Sequence, residues 1–374
     1  MTTAMIPIFE PLFSGNERDY LLSCVDSGWI SSQGAFIEDF EQAFAAYNSM
    51  PIGIATSNCT TALHLALVAL GIGPGDEVIC PDLTFIAPVN MVALCGARPV
   101  LVDVEEGSWA INPNLIEEKI SSKTKALIVV HPFGHTADMA RIMEICSCHG
   151  IPVIEDVAEA PAATCDGVTA GTFGIMSCYS FFANKIMTTG EGGMILTQDP
   201  NLEKRLRIYR DHGMSREKRY VHVVAGFNYR MTNMQAAIGL AQLEGLDDIL
   251  ARRAVQDAHY RRRLAEADDG RLSCRPILPY CRPVHWLTTV TLRDIEMRDP
   301  LLAFLKDNGI DSRQMVNPVH EAVPYADDND PSHFPVSRSL SSRSLHLPSG
   351  TDLQPDLIDR ICDLVLDWTA RGAA

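Results

Sequence analysis

The sequence predicts an α/β protein: a large domain built on a mostly parallel sheet, followed by a smaller C-terminal α+β domain. Three observations predict it. From Pro51 to Thr197, short apolar runs alternate with segments of helical periodicity, the rhythm of parallel strands joined by crossover helices. Two of the runs lead to chemistry-bearing residues: Ile151-Pro152-Val153-Ile154 to Asp156, and Cys178-Tyr179-Ser180-Phe181-Phe182 to Lys185. After Arg252 the rhythm gives way to a long helix, one strand-like run and separate helices. That change divides the chain into residues 1–248 and 249–374, with Pro276, Pro279 and Pro283 close to the change.

In chain order, residues 15–27 and 36–47 read as two lead-in helices. The polar loop Gly28-Trp29-Ile30-Ser31-Ser32-Gln33-Gly34 lies between them, either as a plain connection or as a loop that reaches a site. Pro51–Ala55 reads as a strand and Thr60–Leu70 as a helix, with Thr56-Ser57-Asn58 as capping residues. A helix start directly after a buried strand is also a natural phosphate seat, so this cap carries both readings. Next come strand Glu77–Cys80, a helix from Pro88 to Cys95, strand Pro99–Val104, helix Pro113–Ser121 and strand Lys125–Val130. Helix Ala137–Gly150 leads into the Asp156 strand. After Lys185, Gly193–Thr197 is a strand and Asn201–His212 a helix, and Met234–Leu243 forms another. The second part holds helix Arg252–Ala265, strand His285–Leu292, helix Leu301–Asn308 and a closing helix Asp356–Trp368. Ligands of such sheets bind beyond the carboxyl ends of the strands, where Asn58, Phe85, His131 and Asp156 are expected to gather.

Composition narrows the function. The 374 residues are 47% hydrophobic with a net charge of −16, which fits a globular protein and argues against a general nucleic-acid or membrane-surface binder. No apolar stretch reaches the ~18 residues of a membrane span. The start MTTAMIPIFEPLF lacks a basic segment followed by a long apolar core, so a cytoplasmic protein is expected. The 11 cysteines are scattered through apparent core segments without a CxxC pair, so buried reduced thiols are expected rather than zinc or a disulfide framework.

A carboxylate at a strand end and a lysine after an aromatic strand are what pyridoxal phosphate chemistry requires. The acid keeps the pyridinium nitrogen protonated, and the amine forms the Schiff base. Taken together with further segments, these make the chain resemble the sugar-nucleotide aminotransferases over nearly its whole length. The likeness lies in GWISSQG, TSNCTTALHLALVALGIGPGDEV, IEDVAEA, SFFANKIMTTGEGGMI, GFNYRMTNMQAAIGLAQLE and PVHEAVPY. The resemblance implies the aspartate-aminotransferase fold type I, with its seven-stranded-type sheet, and a homodimer with a shared active site. It implies pyridoxal 5'-phosphate as cofactor, held as pyridoxamine phosphate between half-reactions. Glutamate is the implied amino donor and a nucleotide-linked keto-deoxysugar the acceptor. Glu159 and the run around Asn184-Lys185-Ile186 point to members acting on GDP-4-keto-6-deoxymannose.

By position, the resemblance gives Lys185 and Asp156 the catalytic roles and Phe85 the ring face. It places Glu159 near the ring hydroxyl or the substrate. It places Cys59, Thr60, Ser180 and a partner's Asn228 on the phosphate, and His320 and Tyr325 near the sugar. Trp29, Ser31, Arg219 and Arg230 complete the implied substrate set, the arginines as positive charge for a pyrophosphate. Cys59 stands where most relatives have glycine, leaving less room beside the phosphate, and Asn317 where they carry an aromatic or histidine. Singly, Phe85, Ser180, Glu159, His320 and Tyr325 read as ordinary structural residues. Asp156 and Lys185 together favour an enzyme. A lysine at 185 argues against the dehydrating relatives, which carry histidine there. Amination at another carbon, or of a cyclitol, and a non-catalytic regulatory protein are the alternatives.

Overall fold

The computed structural model describes residues 5–266 and 270–371, so the first four residues of the stretch read for a signal lie outside it. Helices α1 (Glu17–Ser27) and α2 (Ala35–Tyr47) lead to β1 (Ile52–Thr56). There follow α3 (Cys59–Leu70), β2 (Glu77–Pro81), α4 (Ala87–Leu94), β3 (Arg98–Val102), β4 (Thr124–Val130), α5 (Met139–His149) and β5 (Val153–Asp156). A short hairpin, β6 (Thr164–Cys165) and β7 (Val168–Thr169), precedes β8 (Met176–Ser180), β9 (Gly193–Thr197), α6 (Pro200–Arg210), α7 (Asn233–Glu244) and α8 (Leu246–Leu264).

The large sheet runs β1-β9-β8-β5-β4-β2-β3. The pairs among β3, β2, β4, β5 and β8 are parallel, and only β9 runs against its neighbours. Every residue of β4 from Ala126 to Val130 is buried, which is why that run is continuously apolar: helices cover both faces of a parallel sheet. The expected fold class therefore holds.

One element differs. Pro113–Ser121 forms two 3-10 turns, Pro113–Leu115 and Glu117–Lys119, rather than a helix. The segment is pinned at one end by the Asn112 amide on the Asp103 carbonyl and at the other by the Ser121 hydroxyl on Glu77, 2.6 Å. Nine residues between fixed ends form too few i→i−4 bonds to offset helix nucleation.

The rest of the chain forms β10 (Leu272–Cys274), β11 (Cys281–Arg282), β12 (Thr288–Leu292), α9 (Arg298–Asp307), β13 (Arg313–Gln314), α10 (Pro335–Arg343), β14 (Ser344–Leu347) and α11 (Pro355–Arg371). A second sheet, β10-β12-β14-β13, packs with α8, α9 and α11 around Tyr260, Leu301, Leu345 and Ile361. Ile6 bridges to Ile310, and the Ser349 amide donates to the Ile8 carbonyl, so the first described residues run along this smaller sheet. The expected division at 248/249 falls inside α8, and we propose that the two domains part along that helix. Strand β12 begins at Thr288, later than expected, which leaves His285-Trp286-Leu287 as a connecting segment. All eleven cysteines are free. Among the described residues, no helix is long and apolar enough to cross a membrane.

Candidate active site

The carboxyl ends of the central strands bring four of the expected residues into two contact pairs, Asp156 with Cys59 and Lys185 with Glu159. Asp156 ends β5, level with Val130 of β4 and Cys178 of β8. It is only 6% exposed; its Oδ1 accepts from the Ala158 amide at 3.0 Å, and the Cys59 Sγ lies 4.0 Å away. Burial pushes its carboxyl up to about 6, against the lowering by the Ala158 N–H.

Cys59 opens α3 behind the Asn58 cap, whose side chain accepts from the Thr61 amide in a reciprocal capping box. Its thiol points back into the core toward Asp156, so the extra side chain fills space under the helix start rather than in front of it. Burial holds this thiol well above its ordinary range. Gly193 makes the arrangement possible: a Cβ there would meet the Asn58 carbonyl carbon at 2.5 Å and the Cys59 nitrogen at 2.7 Å. Ser180, in register with Gly193, ends β8, and its hydroxyl accepts from the Phe182 amide at 3.3 Å.

Lys185 follows on a turn whose amide donates to the Phe182 carbonyl. Its side chain is 13% exposed, with Nζ 3.3 Å from Glu159 Oε1. The other Glu159 oxygen accepts from the Phe133 amide at 2.7 Å. Phe133 adopts a left-handed backbone (φ 51°), which only the surrounding structure can impose on a bulky residue. The imposition is visible: the Arg275 guanidinium, buried and without a carboxylate partner among the described residues, donates to the carbonyls of Pro132 and Phe133 at 2.7 and 3.0 Å.

The residues that sequence reasoning missed lie here too. The Trp286 ring centroid is 3.7 Å from Lys185 Nζ, and its indole N–H donates to the Asn184 carbonyl at 2.6 Å. Phe133 stacks on Trp286 with planes 3° apart. A proline-phenylalanine-glycine turn after a strand hinted at Phe133. Nothing local marked Trp286.

Phe85, between β2 and α4, is 62% exposed, a large bare aromatic face. Thr60 sits in the first turn of α3. The other expected residues stand apart from the Lys185 group. Trp29 and Ser31 have exposed side chains, and their carbonyls accept from Asn233 at the start of α7, at 2.7 and 2.6 Å. Asn228 is exposed and accepts from Arg230, which also pairs with Asp211 at 3.0 Å. Arg219 is exposed with its guanidinium over Tyr220. His320 and Tyr325 are turned inward. The His320 ring is 2.8 Å from Asp82 and stacks on Phe334, while the Tyr325 hydroxyl donates to Asn90 at 2.7 Å. His131, at the end of β4, is bound to Glu155 at 3.1 Å and is fully buried.

These groups fit a flat, phosphorylated, cationic ring. Asp156 keeps Oδ2 without a hydrogen bond among the described residues, an anion aimed into the site. The amides of Cys59 and Thr60 likewise make no hydrogen bond among the described residues, at the positive end of a helix.

The sequence profile of the DegT/DnrJ/EryC1/StrS aminotransferase family matches residues 13–366. The chain is similar to the GDP-perosamine synthase of Caulobacter vibrioides, 45% identical over 95% of this chain and 96% of that protein. It is 40% identical to the GDP-perosamine synthase of Escherichia coli O157:H7, over 97% of this chain and 98% of that one. Among solved structures, Streptomyces venezuelae DesV in complex with a ketimine intermediate superposes with a TM-score of 0.91 at 34% identity, covering 98% of this chain and 99% of that chain.

Proposed function

The chain belongs to the DegT/DnrJ/EryC1/StrS aminotransferase family, and we propose that it aminates GDP-4-keto-6-deoxymannose, taking the amino group from glutamate. It is a pyridoxal-phosphate-dependent aminotransferase acting on a GDP-sugar. The observation that carries the choice of sugar is the 45% identity, over nearly the full length, to a GDP-perosamine synthase. The retained lysine agrees with amination, since Lys185 offers the amine such chemistry uses.

Bound at this edge of the sheet, pyridoxal phosphate supplies an electron sink for the charge that develops on the substrate carbon. The side chains do the rest. Asp156 holds the protonated ring nitrogen, and its desolvated surroundings make that ion pair strong. Phe85, with its exposed ring, would cover one face of the cofactor. The start of α3, at Cys59 and Thr60, receives the phosphate with the Ser180 hydroxyl and Asn228 of the partner subunit. Lys185 carries a proton at Nζ to and from the substrate carbon, and Glu159 steadies that amine while the Phe133 amide steadies Glu159. Arg219 and Arg230 face the sugar pyrophosphate, with Trp29 and Ser31 near the sugar; His320 and Tyr325, expected there, are instead turned inward onto Asp82 and Asn90. The active unit is a cytoplasmic homodimer.

Purified protein loaded with cofactor tests the proposal. Glutamate should convert its visible absorbance to that of the amine form of the cofactor. Among GDP- and dTDP-linked keto-sugars, GDP-4-keto-6-deoxymannose should restore the original spectrum fastest, with an amino sugar of the expected mass. Lys185→Ala should show neither change. A protein that stays yellow in glutamate, or a Lys185→Ala variant that turns over appreciably, would falsify the reading.

A further inference from the structure

The indole ring of Trp286 is arranged as no ordinary core tryptophan would be. It is 6% exposed, yet one face meets a primary amine, Lys185 Nζ, 3.7 Å from the ring centroid. Its N–H donates to the carbonyl of Asn184, the residue next to that lysine. The ring is locked by the parallel stack on Phe133, and Phe133 also donates its amide to Glu159, the other group touching Nζ. The backbone here is held as firmly. The buried Arg253 guanidinium donates to the Trp286 carbonyl at 2.9 Å and to the His285 carbonyl at 3.3 Å, with no carboxylate partner among the described residues to divert it. A flexible four-carbon side chain thus ends between a carboxylate oxygen and an aromatic face.

We propose that Trp286 is a positioning residue for Lys185, seating its amine whenever that amine is not joined to the cofactor. Each half-reaction frees the lysine and then needs it at the same substrate carbon. An unheld amine would sample many rotamers, most of them out of reach of that carbon. The π face and Glu159 confine it to one place, and the Nε1–H bond to Asn184 ties that place to the lysine's own turn. The inference rests on the reading of Lys185 as the cofactor-bearing amine.

The test uses cofactor-free wild-type protein, Trp286→Phe and Trp286→Leu. Pyridoxal phosphate is added, the product is trapped with borohydride at timed intervals, and the modified lysine is identified by peptide mass. Steady-state kinetics with the keto-sugar and melting temperatures accompany it. Phenylalanine keeps a π face and should capture the cofactor within about threefold of the wild-type rate; leucine should be about tenfold slower. Trp286→Leu should also lower kcat with the keto-sugar KM within about twofold of wild type. A merely structural tryptophan would leave the capture rate of the folded fraction unchanged. Capture by Trp286→Leu at the wild-type rate, or equal losses in Phe and Leu variants that track melting temperature, overturns the proposal. If wild-type protein forms no adduct at Lys185, the reading of the lysine itself fails, and this proposal with it.

Discussion

Asp156→Asn should make the cofactor-free protein more stable at pH 8 while crippling the loaded enzyme. Burial raises the Asp156 carboxyl to about 6, roughly 2 units above an ordinary aspartate. Because the folded-state value is raised, the contribution to stability is intact below about pH 4. It is lost as pH rises through about 6. At about 1.4 kcal/mol per unit, the ionised carboxylate destabilises the folded protein by up to ~3 kcal/mol at pH 8. Asparagine removes the charge, and its amide oxygen can still accept from Ala158, now at 3.0 Å from Oδ1. Thermal melts of cofactor-free wild type and variant between pH 5 and 8.5 should therefore diverge. For a chain of this length the variant should melt roughly 4 °C higher at pH 8, with the gap narrowing to about half by pH 5. Added pyridoxal phosphate should reverse the order, since only the wild type gains the ring-nitrogen ion pair. The reasoning fails if the variant melts at or below wild type at pH 8, or if the gap is the same at every pH.

Three further outcomes follow from the same geometry. Gly193→Ala forces a Cβ to within 2.5 Å of the Asn58 carbonyl carbon, so α3 must shift; cofactor affinity, read by spectroscopic titration, should fall at least tenfold while the fold survives. Asp82 accepts from both the backbone and the ring of His320, each at 2.8 Å, so Asp82→Ala should cost about 3 kcal/mol and show as a melting temperature lower by several degrees at pH 7.5. Mixing Lys185→Ala and Asn228→Ala subunits should regain turnover well above either parent, because a mixed dimer contains one site with both residues intact; no gain would place Asn228 in its own subunit's site.

How much was legible follows from range. The alternation of Ile52–Thr56, Glu77–Pro81, Thr124–Val130 and Val153–Asp156 with helices is a local pattern, and burial on both sheet faces makes such strands apolar throughout. Asp156 and Lys185 stood out because Asp156 ends its strand and Lys185 lies on the turn that follows its own, so strand geometry brings both to the edge where ligands bind. Helix Pro113–Ser121 was misjudged because its ends are held by Asp103 and Glu77, residues that composition within the segment does not reveal.

The sequence by itself determined the fold class and the cofactor chemistry, and put Asp156 and Lys185 forward for its centre, because these depend on periodicity and on side chains near strand ends. Only the tertiary structure decided what surrounds them. Trp286 meets Asn184 across 102 residues of chain, and Arg275 reaches Pro132 across 143. It likewise turned the Cys59 thiol toward Asp156 and His320 onto Asp82. Such contacts arise from packing between distant segments, and no periodicity within either segment encodes the partner.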